Sequence, residues 1–323
     1  NVAEAIETLQ RFPQDEELRI LPGLVQAVAL ASSGSIAIVY AGNGAQWVGM
    51  GQVLMLESPR FAELLAEVDN VMQPLVGFSV ITELQADHAA ARIDDTTVAQ
   101  PLLFAIQVAI TTLLKEAGIA PAATTGHSVG EIAAAWAAGA LDLEQAIHLI
   151  VARSQAQGLT RGAGRMAAVG MSAEAVGQLI GELGNASDIE IAGINSPGNV
   201  TLSGSLEALH KIQNMVETRG GFFRLLDLDY AFHSRQMEPA QADLAQRLEG
   251  FKPAGQENAF FVSTVTGDIL DGAQLDAEYW WRNVREPVRF ADAVGRLAKL
   301  GCRVFVEISP HAILQRYISE CLN

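Results

Sequence analysis

The densest chemistry in this 323-residue chain lies in the run Gly126-His127-Ser128-Val129-Gly130-Glu131. It fits G-x-S-x-G, a sharp strand-to-helix turn that presents a serine hydroxyl as a nucleophile. Glycines suit a turn in which backbones come close. Ser128 then stands at a helix N-terminus, where free N–H groups and the helix dipole favour developing negative charge. The N–H of Val129, next after it, is the natural first oxyanion donor. The competing reading is a glycine-rich helix start in which Ser128 is only a cap.

A serine hydroxyl needs a base, and six histidines are available. His88 falls in a polar loop, His148 and His210 fall inside helices, and His127 points away on the turn. His233, in Asp229-Tyr230-Ala231-Phe232-His233-Ser234, follows a strand end where a small subdomain rejoins the body. A cleft belongs at such a junction. His311, after Pro310, stays open as the second choice. The loop Gly42-Asn43-Gly44-Ala45-Gln46-Trp47 supplies a second oxyanion donor, or is an ordinary βα turn. Arg153 sits in the apolar segment Ile150-Val151-Ala152-Arg153, where an arginine is expensive unless paired or facing a cavity. It is either paired with a surface acid or offers its planar fork to a substrate carboxylate.

Composition bounds what surrounds these residues. Half of the chain is apolar and 18% is charged, which excludes a disordered polymer. The length allows a large core, or a large domain with a smaller one. No run approaches the ~18 consecutive apolar residues of a membrane span. A net charge of −16 argues against nucleic acid or an anionic membrane as the main partner. Cys302 and Cys321 have no metal-like spacing, and a disulfide framework is not expected; a reducing cytoplasm is the default. Residue 1 is Asn, with no signal peptide, so the chain reads as a fragment or a processed form.

The elements follow from periodicity. Residues 1–34 read as a lead-in with a short amphipathic helix from Val2 to Gln10. Ile36 to Tyr40 is a buried strand. Phe61, Leu64, Leu65 and Val68 share a helix face. A long helix runs from Gln100 or Pro101 to about Ala117. Ala122 to His127 is a strand, Val129 to Gly139 a helix, and Asp142 caps the next one. From Met166 to Leu228 the order is strand, helix, strand, strand, helix, strand, with Ser172 and Ser205 as caps. That βαββαβ order is ferredoxin-like, inserted in a larger α/β body. Beyond it, Gln236 to Leu248 and Val288 to Leu300 read as helices, and Val304 to Ile308 as a strand.

Taken together, Gly126–Glu131, Arg153-Ser154-Gln155, Tyr230–Ser234 and the run from Trp281 to Phe290 carry a resemblance. The chain resembles the acyltransferase domain of a type I polyketide synthase and is similar to malonyl-CoA:acyl carrier protein transacylases, over nearly all of residues 35–323. The resemblance implies an α/β-hydrolase-like body (35–164 and 233–323), a ferredoxin-like subdomain (165–232), and a ketosynthase-to-acyltransferase linker remnant (1–34). It implies Ser128 as nucleophile, His233 as base, and the backbone carbonyl of Asn283 as the group that orients His233. It implies an oxyanion hole from Asn43 and Val129, Arg153 on the malonyl carboxylate, and a pocket with Gln100, His127, Asn195, Tyr230 and Phe232. The implied substrate is an acyl-CoA thioester, malonyl-CoA, and the acceptor is the phosphopantetheine thiol of an acyl carrier protein. A ketosynthase shares the polypeptide, and no metal or other cofactor is needed. Arg161, Arg165, Arg235, Arg282, Arg285 and Arg289 are candidates for a basic patch toward the carrier.

Two departures bear on this. The first loop is usually F-P-G-Q-G-S-Q, and here it is Tyr40-Ala41-Gly42-Asn43-Gly44-Ala45-Gln46. Malonyl-selective members usually read H-A-F-H and methylmalonyl-selective ones Y-A-S-H, whereas Tyr230-Ala231-Phe232-His233 is a hybrid. Phe232 is bulky where a 2-methyl group needs room, and Val129 matches malonyl-type members, so malonyl is favoured. Methylmalonyl or an unusual extender is the alternative, and a serine hydrolase a more distant one.

Overall fold

The β-branched run after residue 34 forms the centre of a parallel sheet. The computed structural model describes residues 34–88, 90–184, 188–253 and 258–323. The lead-in expected over residues 1–34, with its short helix, therefore lies outside the described residues except for Gly34. The strands are β1 Ser35–Tyr40, β2 Ala123–Gly126, β3 Arg165–Gly170, β4 Ile189–Ser196, β5 Asn199–Gly204, β6 Phe222–Leu225, β7 Phe260–Phe261 and β8 Cys302–Ile308. The main helices are α1 Pro59–Val76, α2 Thr96–Glu116, α3 Gly130–Ala138, α4 Leu143–Gly158, α5 Ala173–Glu182, α6 Leu206–Thr218, α7 Ala277–Arg285, α8 Phe290–Lys299 and α9 Gln315–Leu322.

One sheet has the order β7-β2-β1-β8, every pair parallel. The chain leaves β1 and returns on one side as β2 and on the other as β8, so β1 lies where the strand order reverses. Ligand sites in open α/β sheets form at such a point, beyond the carboxyl ends of the strands. The second sheet is antiparallel, order β4-β5-β3-β6, which is the ferredoxin-like arrangement of a βαββαβ unit. α5 and α6 turn Val176, Leu179, Leu209, Ile212 and Val216 onto it, making a core separate from that of the parallel sheet. β4 is tied to the body through Val288, whose N–H donates to the Ala192 carbonyl at 2.9 Å and whose carbonyl accepts from Ile194 N–H at 2.8 Å.

Several helix boundaries differ from the sequence reading. α2 starts at Thr96, earlier than Pro101 suggested, because Asp95 caps it by accepting from Thr97 N–H at 2.9 Å. Pro101 is tolerated one turn in, where its missing N–H removes a single intrahelical bond while Val98, Ala99 and Leu102 are buried. By length and composition α2 could cross a membrane, yet 72% of its most apolar window is buried inside the fold. α8 begins at Phe290 because Val288 is taken up by β4. Residues Arg235–Ala240 form a 3-10 turn before the helix Gln241–Arg247, with Pro239 in that turn.

The turn from β2 into α3 depends on missing side chains. A β-carbon on Gly126 would lie 2.1 Å from the Gly130 carbonyl carbon, and one on Gly130 would lie 2.3 Å from the Tyr40 carbonyl oxygen. One on Gly42 would meet the His127 carbonyl oxygen at 2.5 Å. These are backbone-to-backbone clashes that no rotamer relieves. Gly130→Ala is expected to lose ~3 kcal/mol or more of stability. Gly177→Ala, on the open face of α5, is expected to gain roughly 0.5–1 kcal/mol by helix propensity. Equal denaturation midpoints for the two variants would contradict the close approach.

Candidate active site

Ser128 follows β2 and occupies the left-handed region, φ 54°. His233 has φ 58°, and among the described residues these two are the non-glycine positions with positive φ. Such conformations are held only where the surroundings over-determine them. Their side chains meet: Ser128 Oγ donates to His233 Nε2 at 2.6 Å. His233 Nδ1–H donates to the backbone carbonyl of Glu286 at 2.9 Å, which leaves Nε2 unprotonated and able to accept. His311 is exposed, and its described hydrogen bonds are to Ser309.

The carbonyl that orients His233 is thus that of Glu286, a correction to the expected Asn283. Asn283 lies inside α7, where its carbonyl runs along the helix axis. Glu286 is the extended residue just past the helix end, so its carbonyl is free to turn toward the ring. Asn283 reaches the site by its side chain instead. Its Oδ1 accepts from Arg153 Nε at 3.1 Å, and its Nδ2 donates to the Ser128 carbonyl at 3.2 Å and to Glu131 at 2.7 Å.

Arg153, on α4, is 1% exposed. Its Nη1 donates to Gln100 Oε1 and Gln157 Oε1, each at 2.8 Å, and its Nη2 donates to Ser128 Oγ at 3.1 Å. Nε and Nη1 are committed to amide oxygens, so Nη2 is the end of the guanidinium turned to Ser128 Oγ. Gln100 in turn donates to Thr96 Oγ1 and Gln157 Oε1. Thr96 N–H faces the Tyr230 hydroxyl at 3.4 Å. Tyr230 is stacked on Phe232, ring centres 4.9 Å apart, and both are buried. His127 Nε2–H donates to Asn195 Oδ1 at 2.9 Å, an orientation fixed because Asn195 Nδ2 donates to Thr201. The N–H groups of Asn43 and Val129 have no acceptor among the described residues.

Burial, then the positive charge of Arg153, push the His233 imidazole down to about 3. Burial likewise lowers the Arg153 guanidinium to about 9, against the attraction of Glu131, and it stays cationic at neutral pH. His233 is therefore neutral in the folded protein and titrates near 6.5 in the unfolded chain. Between those values the unfolded state binds more protons, so this group makes stability rise with pH, by ~1.4 kcal/mol per unit for one proton. His127, also lowered by burial, acts in the same direction. His233→Gln is expected to flatten the denaturation midpoint against pH between pH 4 and 6; an unchanged slope would contradict a buried neutral imidazole.

Several members of the cluster escape a reading by residue type. Gln157 is one helical turn after Arg153, a spacing that signals contact. Glu131 lies in the quoted glycine motif without a role. Glu286 acts through its backbone, which no side-chain pattern reveals. The six candidate surface arginines are all paired with acids: Arg161 and Arg165 with Asp229, Arg235 and Arg285 with Glu190, Arg282 with Glu286, Arg289 with Asp292.

The acyl transferase domain family matches residues 37–323. Erythronolide synthase EryA2 of Saccharopolyspora erythraea is 38% identical over 300 residues, covering 93% of this chain and 8% of that protein. The chain thus spans under a tenth of such a relative. The acyltransferase domain from module 8 of the salinomycin polyketide synthase is 38% identical with a TM-score of 0.84, covering 88% of this chain and 67% of that one. Malonyl CoA-acyl carrier protein transacylase from Clostridium perfringens is 26% identical with a TM-score of 0.80, covering 89% and 90%. With the family matched from the first strand to the last residue, the chain belongs to the acyl transferase domain family, among the acyltransferase domains of polyketide synthases.

Proposed function

We propose that this domain loads malonyl from malonyl-CoA onto Ser128 and passes it to the phosphopantetheine thiol of an acyl carrier protein. The observation that carries the reading is the environment of one atom. Ser128 Oγ has a neutral imidazole at 2.6 Å on one side and a guanidinium at 3.1 Å on the other. A base and a carboxylate-binding cation converge on one nucleophile.

Ser128 Oγ attacks the thioester carbon while His233 Nε2 takes its proton. The N–H groups of Val129 and Asn43 receive the oxyanion, each such donor being worth roughly 3 kcal/mol in comparable sites. The intermediate collapses, the C–S bond breaks, and the proton on His233 goes to the departing CoA sulfur. A malonyl ester remains on Ser128. The carrier thiol then gives its proton to His233 and attacks the ester, and Ser128 recovers its hydrogen. Arg153 Nη2 meets the malonyl carboxylate. That anion offsets the charge that weakens His233 as a base, so a carboxylated acyl group strengthens the base it needs.

In this reading 35–164 and 233–323 form the catalytic body, and 165–232 is a wall that brings Asn195 to His127. Phe232 stacked on Tyr230 leaves little room for a 2-methyl group, a discrimination of roughly 1–3 kcal/mol. Two free cysteines suit a reducing cytoplasm, and the parent chain carries a ketosynthase. The test is intact-protein mass spectrometry after brief incubation with equimolar malonyl-CoA and methylmalonyl-CoA. A malonyl adduct is expected. A predominant methylmalonyl adduct would overturn the selectivity argument and keep the transferase; no adduct, with no CoA released, would overturn both.

A further inference from the structure

Glu131 is a fully buried acid that the transfer steps leave unused. It lies in the first turn of α3, three residues after the nucleophile. Its Oε1 accepts from the N–H and the hydroxyl of Thr264, and its Oε2 from the Tyr279 hydroxyl at 2.8 Å and Asn283 Nδ2 at 2.7 Å. Each oxygen faces an N–H, which favours the carboxylate, whereas burial pushes the group up from its usual range.

The direction of the next link is forced. Arginine only donates, so the atom of Asn283 facing Arg153 Nε must be the oxygen. The Asn283 amide nitrogen must then face Glu131 and the Ser128 carbonyl. The result is a one-way chain, with Arg153 donating to Asn283 and Asn283 donating to Glu131. One buried anion is thereby linked through a single amide to one buried cation. Gln100 and Gln157 hold the other side of the guanidinium, so its plane is fixed from three directions and Nη2 is the end left toward the nucleophile.

We propose that Glu131, acting through Asn283, is a positioning residue that aims Arg153 at the acyl pocket and so sets the preference for acyl groups bearing a carboxylate. This rests on the reading of Arg153 as the carboxylate site. A rival role is purely architectural, with Glu131 only anchoring the Thr264 segment to α3. The two roles differ in what they do to substrates with and without a carboxylate. A loosened anchor slows both alike, whereas a misaimed guanidinium penalises only the carboxylated one.

The experiment measures self-acylation with malonyl-CoA and, separately, acetyl-CoA, on the wild type, Glu131→Gln and Asn283→Ala. Glutamine sets an NH2 against either Thr264 N–H or Asn283 Nδ2, donor against donor. Asn283→Ala cuts the link while leaving Glu131 its contacts to Thr264 and Tyr279. In both variants the malonyl-to-acetyl ratio of kcat/KM is expected to fall about tenfold to a hundredfold, mostly through a raised KM for malonyl-CoA. A ratio equal to wild type, with both rates reduced alike, would overturn the proposal and leave the architectural role. A wild type that shows no preference for malonyl would overturn the carboxylate reading and this proposal together. Where Glu131→Gln does not fold, Asn283→Ala decides by the same ratio.

Discussion

Ser128→Ala is expected to remove the acyl adduct altogether and to slow transfer to the carrier protein by at least ~10⁴-fold. The loss is large because the whole reaction passes through one oxygen. His233 has no second substrate-side partner, and Arg153 Nη2 makes its one described side-chain contact there. Removing the hydroxyl leaves the oxyanion donors and the carboxylate site, so binding of malonyl-CoA should survive. The fold should survive too, since alanine meets the same backbone penalty at φ 54° as serine. The main structural loss is two buried groups without partners, His233 Nε2 without a donor and Arg153 Nη2 without an acceptor, at ~1–3 kcal/mol each. Intact mass after exposure to malonyl-CoA, with circular dichroism as the folding control, checks this. Transfer at the wild-type rate would exclude a covalent serine mechanism.

Arg153→Lys is expected to lower kcat/KM for malonyl-CoA by ~10²–10³-fold while keeping a positive charge. Lysine carries three donors on one atom, whereas Arg153 spends its planar fork on Asn283, Gln100 and Gln157 and still reaches Ser128. An ammonium satisfying the amides is withdrawn from the nucleophile; one placed at the nucleophile leaves buried amide oxygens unpaired. The first loses the charge-assisted contact to the substrate, and the second loosens the amides that hold the cation in place. Arg153→Ala is the harsher variant, because it also leaves the buried amide oxygens of Asn283, Gln100 and Gln157 without this donor. Steady-state loading of malonyl-CoA and acetyl-CoA, read beside the denaturation midpoint, separates the two effects. Malonyl loading unchanged in Arg153→Lys would point to a serine hydrolase that has no use for a carboxylate site.

The legible part of this chain was the part written in local rules. Asp142, Ser172 and Ser205 cap the helices they were expected to cap, because a cap is a contact between neighbours in sequence. Gly139 ends α3 in the left-handed conformation for the same reason. The strand-to-helix turn that carries Ser128 was legible from two glycines and a helix pattern. The pairing of His233 with Ser128 needed the junction after β6, and the elements there were readable although β6 ends at Leu225 rather than Leu228. What escaped was set by tertiary context. Pro101 looked like a helix start because the burial of the preceding turn is not visible locally. The carbonyl of Glu286 could not be chosen over that of Asn283, since every residue has a carbonyl and only the end of α7 decides which one turns. Glu131 and Gln157 were unread because an acid or an amide becomes informative only when buried beside an arginine.

The two side chains proposed to react, Ser128 and His233, sit on the two described non-glycine residues whose backbone is left-handed. Glycine would suit either position better by roughly 1 kcal/mol. That gain is smaller than the ~1–3 kcal/mol at stake when the buried bond between Ser128 and His233 is lost. Each side chain therefore holds the other's backbone in its costly conformation, and a gene copy released from catalysis would gain no thermal robustness by shedding one of them alone.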